Sequence, residues 1–243
     1  MVMSRLLVSL ATYNESANLS PLTTEIHAVA PEADVLVIDD NSPDGTGNLA
    51  DELAAKDARI HVLHRPGKLG LGTATLAAIR YAIDQKYDLL LNMDADFSHH
   101  PRYIPALIAG MSDHDVMIGS RYVPGGGTVN WPWTRRLTSR AVNLFARLLL
   151  GIPARDTSGA FRCYRVSKFP EMSLETMLSR GYSFQEEMLS RCAQVGCRLG
   201  ETPIVFENRR GGASKADAKE MVRSLVVLFR LSFRRLIGRK DEG

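Results

Sequence analysis

The 243-residue sequence has few cysteines and little net charge. Its three cysteines, Cys163, Cys192 and Cys197, form an odd-numbered set without the spacing of metal ligands, which argues against a disulfide framework and favours a reducing compartment. We interpret them as core residues. The 30 lysines and arginines oppose 27 aspartates and glutamates, and the resulting net charge of +3 gives no electrostatic reason to expect a nucleic-acid partner.

The sequence also lacks an apolar run long enough to span a bilayer. Its most apolar long segment, residues 222–237, would be ~24 Å long as a helix, whereas the hydrocarbon core is ~30 Å thick. Arg223, Arg230 and Arg234 share one face of this helix. The pattern predicts an interfacial helix on anionic headgroups, and a helix docked on the core with a solvated basic face fits equally well. We expect no signal peptide, because the N-terminus runs directly into a strand-like stretch.

The sequence does contain a regular alternation of apolar, strand-like runs with helix-period segments. This order predicts an α/β fold, with a mostly parallel sheet flanked by helices and no inter-domain linker. The predicted strands are residues 5–11, 35–39, 60–64, 89–94 and 116–120, and the predicted helices are residues 19–30, 47–56, 70–85 and 101–110.

The pattern changes after residue 120, where a loop rich in glycine, proline and tryptophan begins. In that loop, Trp131 and Trp133 are candidates for a sugar platform, an interfacial anchor or plain loop core. The predicted elements of this half are a loop at 121–133, a helix at 134–150, a loop at 151–159, a helix at 184–195, a strand at 199–206, a polar loop at 207–215 and a terminal helix at 216–237.

Polar side chains follow three of the predicted strands at their carboxyl ends. They belong to the runs Tyr13-Asn14-Glu15, Asp39-Asp40-Asn41 and Asp94-Ala95-Asp96. In open parallel sheets, ligands bind beyond the carboxyl ends of the strands. We therefore expect the three strand ends to form one cleft.

Asp94 and Asp96 emerge at a strand end with one residue between them. Two like charges this close repel each other unless a cation lies between them. An incomplete set of oxygen ligands suits Mg²⁺ or Mn²⁺, whose remaining positions water and a nucleotide diphosphate would fill. The alternative is a solvated pair that caps the helix starting near Pro101. His99 and His100 fit capping and orienting that helix better than binding a metal.

Residues 67–72, Gly-Lys-Leu-Gly-Leu-Gly, join a strand to a helix. Such glycines allow the backbone to approach a phosphate at the helix N-terminus, and Lys68 would add positive charge. The spacing supports neither a P-loop ATPase nor a Rossmann dehydrogenase. Taken alone, the loop could equally serve packing.

Asp40 ends a second strand, directly before the turn-forming residues 41–45. A carboxylate there could accept hydrogen bonds from a base or a ribose. The alternative is a cap for the next helix, which Asp44 or Thr46 could supply.

Taken together, these motifs stand in the order found in dolichol-phosphate mannosyltransferases, and the chain resembles that family over essentially its whole length. The motifs that carry the resemblance are Tyr13-Asn14-Glu15, Asp39-Asp40-Asn41-Ser42-Pro43-Asp44, Lys68-Leu69-Gly70-Leu71-Gly72, the run 93–101, Gly119-Ser120-Arg121-Tyr122, Asp156-Thr157-Ser158-Gly159-Ala160-Phe161-Arg162, Phe184-Gln185-Glu186-Glu187-Met188 and the run 206–215.

The resemblance implies a GT-A fold, a divalent metal (Mg²⁺ or Mn²⁺) and transfer of mannose from GDP-mannose to a dolichyl or polyprenyl monophosphate, with inversion at the sugar carbon. This chemistry is reasonable from first principles. A lipid monophosphate is already largely ionised at neutral pH, so it needs no deprotonating base. The enzyme must instead hold two anions together, and metal and arginine charges would offset that cost.

The resemblance also assigns roles to individual residues. Four groups are implied: for the nucleotide sugar, Ala11, Tyr13, Glu15, Ile38, Asp40, Lys68, Asp94, Ala95, Asp96, Arg209 and Lys215; for the metal, Asp94, Asp96 and Ser98; for the acceptor phosphate, Arg121, Arg135 and Ser139; and for catalysis, Asp96, Arg121, Gln185, Glu187 and Arg209.

One position departs from the family's pattern, because Ala11 stands where the family usually has proline. A related transferase that uses UDP-glucose or another sugar nucleotide on the same lipid therefore remains the alternative. A catalytically silent nucleotide-binding or scaffold protein is the alternative from another functional class.

We divide the chain into a GT-A catalytic domain at residues 1–215 and a basic amphipathic helix at residues 216–243. Residues 1–120 would form the nucleotide-sugar half of the domain, and residues 121–215 the acceptor half. Some members of the family have C-terminal transmembrane helices, and this sequence shows none. We therefore expect a protein at the cytoplasmic face of a membrane, either peripheral or held there by a small membrane-anchoring subunit.

Overall fold

The computed structural model describes residues 4–179, 181, 183–207 and 226–232. The strands are β1 (Leu6–Thr12), β2 (Asp34–Asp39), β3 (Ile60–His64), β4 (Leu89–Asp94), β5 (Val116–Ser120), β6 (Gly127–Thr128), β7 (Arg162–Arg165), β8 (Leu199–Pro203) and β9 (Val205–Phe206). The helices are α1 (Ser16–Val29), α2 (Thr46–Lys56), α3 (Leu71–Asp84), α4 (Ile104–Gly110), α5 (Trp133–Leu150) and α6 (Phe184–Gln194), with 3₁₀ turns at Pro101–Tyr103, Val166–Glu171 and Leu174–Thr176.

Seven of these strands form the main sheet in the order β3-β2-β1-β4-β7-β5-β8. The pairs β1–β2, β1–β4, β2–β3 and β5–β8 are parallel, and β7 is antiparallel to both of its neighbours. The predicted mostly parallel sheet is thus confirmed. The sequence pattern did not predict β7, and it predicted a single strand at 199–206. That segment instead contributes β8 to the main sheet and β9 to a small parallel pair with β6. Pro203, which has no backbone N–H to donate, lies at the break.

Helices cover both faces of the sheet, because its central strands are apolar on both sides. On β1 the side chains alternate between faces, so that Leu7 packs in one core and Val8 in the other. The core on the Leu7 side includes side chains from α3, α5 and α6, and the core on the Val8 side includes α1 and α4.

The terminal helix predicted at 216–237 is helical where it is described, at residues 226–232. Leu228 is buried in the core on the Leu7 side, and the Phe229 ring meets the Phe145 ring of α5 edge-on at 5.6 Å. The rest of this predicted helix lies outside the described residues. In the part of the chain that the structure describes, no helix has both the length and the apolar character needed to cross a membrane.

Candidate functional site

The carboxyl ends of β1, β2 and β4 lie side by side at one edge of the sheet. Ala11 on β1 is in register with Ile38 on β2 and with Asp94 on β4. The structure therefore brings the three polar strand ends together, as the sequence predicts. A narrow crevice opens between them and reaches Gln185 of α6.

Asp39 and Asp40 follow one another at the end of β2 but have different surroundings. The Asp39 carboxylate accepts hydrogen bonds from the Thr12 hydroxyl (3.1 Å), the Ser42 backbone N–H (3.0 Å) and the Ser42 hydroxyl (2.5 Å). Asp39 therefore shapes the turn after β2. This leaves Asp40 as the carboxylate of the pair that can act on a ligand.

Asp40 is held by Arg65, a residue that the sequence analysis did not single out. The Arg65 Nε and Nη2 atoms donate to the two Asp40 oxygens at 2.6 and 2.9 Å, and Nη1 donates to the Thr73 hydroxyl at 2.9 Å. Both partners of this bidentate pair are buried. Each carboxylate oxygen can accept a further hydrogen bond, so Asp40 keeps acceptor capacity for a ligand. The only sequence signal for Arg65 is its place directly after β3, at the same sheet edge.

Tyr13 and Lys68 lie together at the mouth of this edge. The Lys68 ammonium is 4.6 Å from the centroid of the exposed Tyr13 ring, within the range of a cation–π contact. Gly70, directly before α3, has φ +94° and ψ 149°, a conformation that only glycine adopts readily. The glycine at this position is therefore required by the turn that presents the N-terminus of α3. Glu15 accepts a hydrogen bond from the Asn18 amide at 2.8 Å.

The turn after β4 carries the two aspartates that the sequence predicts as metal ligands. Asp94 is partly exposed, and Asp96 is buried. Phe97 follows with φ +63°, and the Ser98 backbone N–H donates to Asp96 Oδ1 at 3.0 Å. Ala95 and Ser98 are both buried within the same turn. The turn thus fixes the direction of the Asp96 carboxylate from the backbone.

His99 supports the turn as a neutral ring. The Asp94 backbone N–H donates to His99 Nδ1 at 3.0 Å, so this nitrogen carries no proton. Burial lowers the pKa of His99, and the ring stacks on Phe161 at 5.0 Å. The 3.5 Å approach of Nδ1 to Asp94 Oδ2 is therefore a close contact and no ion pair. His100 accepts from the Arg102 backbone N–H at the start of the next helical turn, which agrees with the predicted capping role.

This turn suits a metal ion whose coordination shell is filled only in part by protein side chains. Within residues 4–179, 181, 183–207 and 226–232, no cluster of three histidine, cysteine or carboxylate side chains could enclose a metal ion. Asp94 and Asp96 provide hard oxygen donors for part of a coordination shell. Mg²⁺ and Mn²⁺ commonly complete such a shell with water and phosphate oxygens. The residues therefore fit a metal that is shared with a nucleotide diphosphate.

Arg121, directly after β5, forms the second buried arginine–carboxylate pair. Its Nε and Nη2 atoms each donate to Asp156 at 2.7 Å, and Nη2 also donates to the Ser158 hydroxyl at 2.8 Å. Burial opposes both charges, but their mutual attraction outweighs it, so the pKa of Asp156 is lowered and that of Arg121 is raised. Arg121 is thus a permanent cation in a fixed orientation.

Arg135 and Ser139 lie on α5 close to Arg121. The Arg135 guanidinium stacks over the Trp131 ring at 3.9 Å, and the Arg121 guanidinium lies 5.8 Å from the same ring. The Ser139 hydroxyl pairs with the Tyr122 hydroxyl at 2.6 Å. The structure therefore brings the three predicted acceptor residues to one region. A groove of about 300 Å³ opens beside them, and it is lined by further basic residues, namely Arg140, Arg147 and Arg155. The sequence analysis did not single these out.

Gln185 and Glu187 are on the first turn of α6, and their surroundings differ. Gln185 is buried and lines the crevice next to Asp94, and neither polar atom of its side-chain amide has a hydrogen-bond partner among the described residues. The Glu187 carboxylate instead accepts from the backbone N–H groups of Leu178 and Ser179 and from Arg191. Gln185 is thus poised for a ligand, and Glu187 holds the loop before α6. Arg209 and Lys215 lie outside the described residues.

Comparisons with known proteins identify the family of this chain. The model of glycosyl transferase family 2 matches residues 8–172. Undecaprenyl-phosphate mannosyltransferase of Micrococcus luteus is 44% identical over 211 residues, which cover 87% of each chain. Polyprenol monophosphomannose synthase of Mycolicibacterium smegmatis is 40% identical over 241 residues, which cover 98% of this chain and 90% of that one.

Solved structures agree on the fold. Glucosyl-3-phosphoglycerate synthase from Mycobacterium tuberculosis, in complex with Mn²⁺, uridine diphosphate and phosphoglyceric acid, has a TM-score of 0.68 at 16% identity over 94% of this chain and 78% of that one. At this identity the likeness concerns the fold, which is the GT-A fold that the resemblance implied. The family match, which spans more than half of the sequence, and the two mannosyltransferase relatives lead to one conclusion: the chain belongs to glycosyl transferase family 2.

Proposed function

We propose that this protein transfers mannose from GDP-mannose to a polyprenyl or dolichyl monophosphate, with inversion at the sugar carbon and with Mg²⁺ or Mn²⁺. One observation carries the proposal: Asp94 and Asp96, suited to a metal-bound diphosphate, share an edge of the sheet with the nucleotide-side residues. The fixed Arg121 cation directly follows Ser120, the last residue of β5 in the same sheet. The names of the two relatives support the mannosyl group and the polyprenyl phosphate acceptor.

On the donor side, Asp40 would accept hydrogen bonds from the nucleoside, and Tyr13, Glu15, Ala11 and Ile38 would line its site. The bidentate hydrogen bonds from Arg65 hold the Asp40 carboxylate in one orientation before the ligand arrives. Lys68 and Ala95 would meet the diphosphate side, and Arg209 and Lys215 are proposed to close over the donor. The alternation of acidic and basic groups suits a nucleotide that carries both hydrogen-bond donors and phosphate charges.

Asp94 and Asp96, with Ser98, would hold the metal. When bound, the metal would neutralise negative charge on the departing nucleoside diphosphate. The backbone N–H of Ser98 orients the Asp96 carboxylate, and the neutral His99 ring holds the Asp94 backbone without adding a competing charge.

On the acceptor side, Arg121, Arg135 and Ser139 would bind the lipid phosphate. The contacts of Arg121 with Asp156 and Ser158 use its Nε and Nη2 atoms, which leaves Nη1 to donate to a phosphate oxygen. The phosphate oxygen then attacks the sugar carbon from the face opposite the diphosphate, which departs with the bonding electron pair. The nucleophile is already ionised, so the residues supply position and charge and no base.

Gln185 would bind a sugar hydroxyl, which would satisfy the buried amide that has no partner among the described residues. Glu187 would act on the sugar as a positioning residue, through the loop at 177–179 that it holds. We also propose that the protein acts at the cytoplasmic face of a membrane, where it is either peripheral or bound to a small membrane-anchoring subunit.

The decisive experiment is transfer of labelled sugar to a short-chain polyprenyl phosphate, with GDP-mannose and UDP-glucose compared in Mg²⁺, in Mn²⁺ and in EDTA. We expect transfer from GDP-mannose that EDTA abolishes and either metal restores, with formation of the β-linked product from the α-linked donor. Transfer from UDP-glucose and not from GDP-mannose would show that UDP-glucose is the donor. Undiminished transfer in EDTA would refute the requirement for a divalent metal. Absence of transfer from any sugar nucleotide would refute the function.

A further inference from the structure

Arg162, the first residue of β7, lies between the two strands that lead to the two sides of the proposed site. It is in register with Asn92 of β4, which precedes Asp94 by two residues, and with Ile118 of β5, which precedes Arg121 by three. Its side chain is fully buried. The fold therefore places a permanent cation between the strand of a predicted metal ligand and the strand of the acceptor arginine.

The Arg162 guanidinium joins two backbone segments that are distant in the sequence. Its Nη1 atom donates to the carbonyl oxygen of Gln185, and its Nη2 atom donates to that of Thr157, each at 2.7 Å. Among the described residues, no carboxylate forms a salt bridge with Arg162. A buried cation without an ion pair is costly, so its two carbonyl partners are its main compensation.

The Thr157 carbonyl belongs to the loop that holds the acceptor side. Thr157 lies between Asp156 and Ser158, the two residues that bind the Arg121 guanidinium. The same loop is tied to α5, because Asn143 Oδ1 accepts from the backbone N–H groups of Thr157 at 2.8 Å and Ser158 at 3.2 Å. A displacement of the Thr157 carbonyl would therefore also displace the groups that orient Arg121.

The Gln185 carbonyl belongs to the sugar side. The buried Gln185 amide lines the crevice next to Asp94 and has no hydrogen-bond partner among the described residues. Arg162 holds the backbone of this same residue, at the first turn of α6. Both Nη atoms belong to one rigid, planar guanidinium. The separation between the Gln185 and Thr157 carbonyl groups is therefore set by a single group.

We propose that Arg162 is a positioning residue that keeps the sugar side and the acceptor side of the site at a fixed separation. For its catalytic consequence this inference rests on the proposed function, because attack by a phosphate oxygen on a sugar carbon requires close alignment of the two. When the alignment loosens, water competes. The water oxygen then bonds to the sugar carbon, the diphosphate departs with the bonding electron pair, and a proton is released to solvent.

The first test is amide hydrogen exchange of the full chain without any substrate. Arg162→Lys keeps the buried charge but replaces the planar fork by a flexible point donor. Loss of one charge-assisted hydrogen bond favours local opening about tenfold or more, so we expect exchange at least tenfold faster in both residues 155–161 and residues 184–190. Faster exchange in neither segment, or in only one of them, would overturn the link.

The matched control is Arg165→Lys, the same substitution at the other end of β7. Arg165 also donates to backbone carbonyl groups, those of Met111 at 2.5 Å and His114 at 3.3 Å, and it is in register with Leu89 at the start of β4. We expect the control to leave exchange in both segments within about twofold of the parent's, because it does not touch the loop or α6.

A second variant keeps the link testable if Arg162→Lys does not fold, which circular dichroism would show. Ser158→Ala removes a hydroxyl that bonds to Arg121 at 2.8 Å and to Asn143 at 3.0 Å, and it leaves Arg162 intact. We expect faster exchange in residues 155–161 and, through Arg162, in residues 184–190. Ser112→Ala, at an exposed position, is its control. Unchanged exchange in residues 184–190 of Ser158→Ala would contradict the proposal.

The second test measures how the donor sugar is divided between water and a short polyprenyl phosphate. The ratio of free sugar to transferred sugar does not depend on the amount of folded protein, so simple destabilisation would not change it. We expect Arg162→Lys to raise this ratio at least tenfold and Arg165→Lys to keep the parent's ratio. An unchanged ratio in Arg162→Lys would refute the positioning role. If the parent transfers no sugar at all, the proposed function fails, and the exchange experiment alone decides whether Arg162 links the two segments.

Discussion

Glu186, on the first turn of α6 and next to Gln185 in the sequence, is a buried carboxyl group. Its Oε2 atom has no hydrogen-bond partner among the described residues. Burial raises the pKa of this carboxyl from 4.5 to about 7, against the opposing attraction of Arg162. The folded protein therefore holds the proton of Glu186 more tightly than the unfolded chain does.

The direction of the pH dependence follows from this difference. Below about pH 4.5 Glu186 is protonated in both the folded and the unfolded state, so its ionisation does not lower the free energy of unfolding. As the pH rises from about 4.5 to about 7, the unfolded chain loses the proton first, and the folded state becomes progressively less stable. Because a tenfold change in proton affinity equals about 1.4 kcal/mol, the total loss is about 3 kcal/mol. It is complete above about pH 7.

Glu186→Gln keeps the size of the side chain and removes the titration. In urea denaturation we expect the variant to match the parent within about 1 kcal/mol near pH 4.5 and to exceed it by up to about 3 kcal/mol near pH 8. Glu201→Gln is the matched control, because Glu201 is only partly buried and its carboxylate accepts two backbone hydrogen bonds. A difference between parent and Glu186→Gln that stays constant with pH would refute the reasoning.

Four further predictions concern the residues of the proposed site. Asp96→Ala should abolish sugar transfer while circular dichroism shows a retained fold, and near-normal turnover in saturating Mn²⁺ would contradict the role of Asp96 as a metal ligand. Asp40→Asn should weaken nucleotide-sugar binding in calorimetry by about 1.5–3 kcal/mol. Arg65→Met should lower the free energy of unfolding by about 3–5 kcal/mol, because it leaves Asp40 buried without its partner. Equal stabilities of the parent and Arg65→Met would contradict a stabilising role of the Arg65–Asp40 pair. Arg135→Ala and Ser139→Ala should raise the KM for the lipid phosphate by roughly tenfold to hundredfold, and the KM for the nucleotide sugar much less, in neutral detergent; an unchanged acceptor KM there would remove both residues from the acceptor site.

The sequence predicted the strands from β1 to β5 and the convergence of three strand ends, because those elements have strong local signals. Each strand is a short apolar run, and each is followed by turn-forming polar residues. By contrast, β7 has the sequence Arg-Cys-Tyr-Arg, in which no apolar period is visible. Its first residue, Arg162, is fully buried and donates to the backbone carbonyl groups of Thr157 and Gln185 at 2.7 Å each. Only tertiary contacts make an arginine acceptable there.

Partners that are distant in the sequence explain most of what could not be predicted at the site. The place of Asp40 after a strand predicted a ligand contact, and the resemblance assigned Arg121 to the acceptor phosphate, but neither signal identified the groups that hold these two side chains. Arg65 is 25 residues from Asp40, and Asp156 is 35 residues from Arg121. Glu187 illustrates the same point, since a residue in a motif next to Gln185 is directed to the loop at 177–179. Local pattern identifies charged residues at strand ends, and only the fold decides how each charge is balanced.

The two buried pairs, Arg65 with Asp40 and Arg121 with Asp156, leave opposite groups available for a ligand. In the first pair the arginine also bonds to Thr73, and the carboxylate retains acceptor capacity, which suits a nucleoside that donates hydrogen bonds. In the second pair the carboxylate also accepts from the backbone of Gly159, and the arginine retains Nη1 donors, which suits a phosphate. Burying either charge alone would cost several kcal/mol, so each partner offsets that cost in advance. The proposed donor and acceptor sites can therefore be charged and oriented before either substrate binds, which is what the proposed reaction between two anions requires.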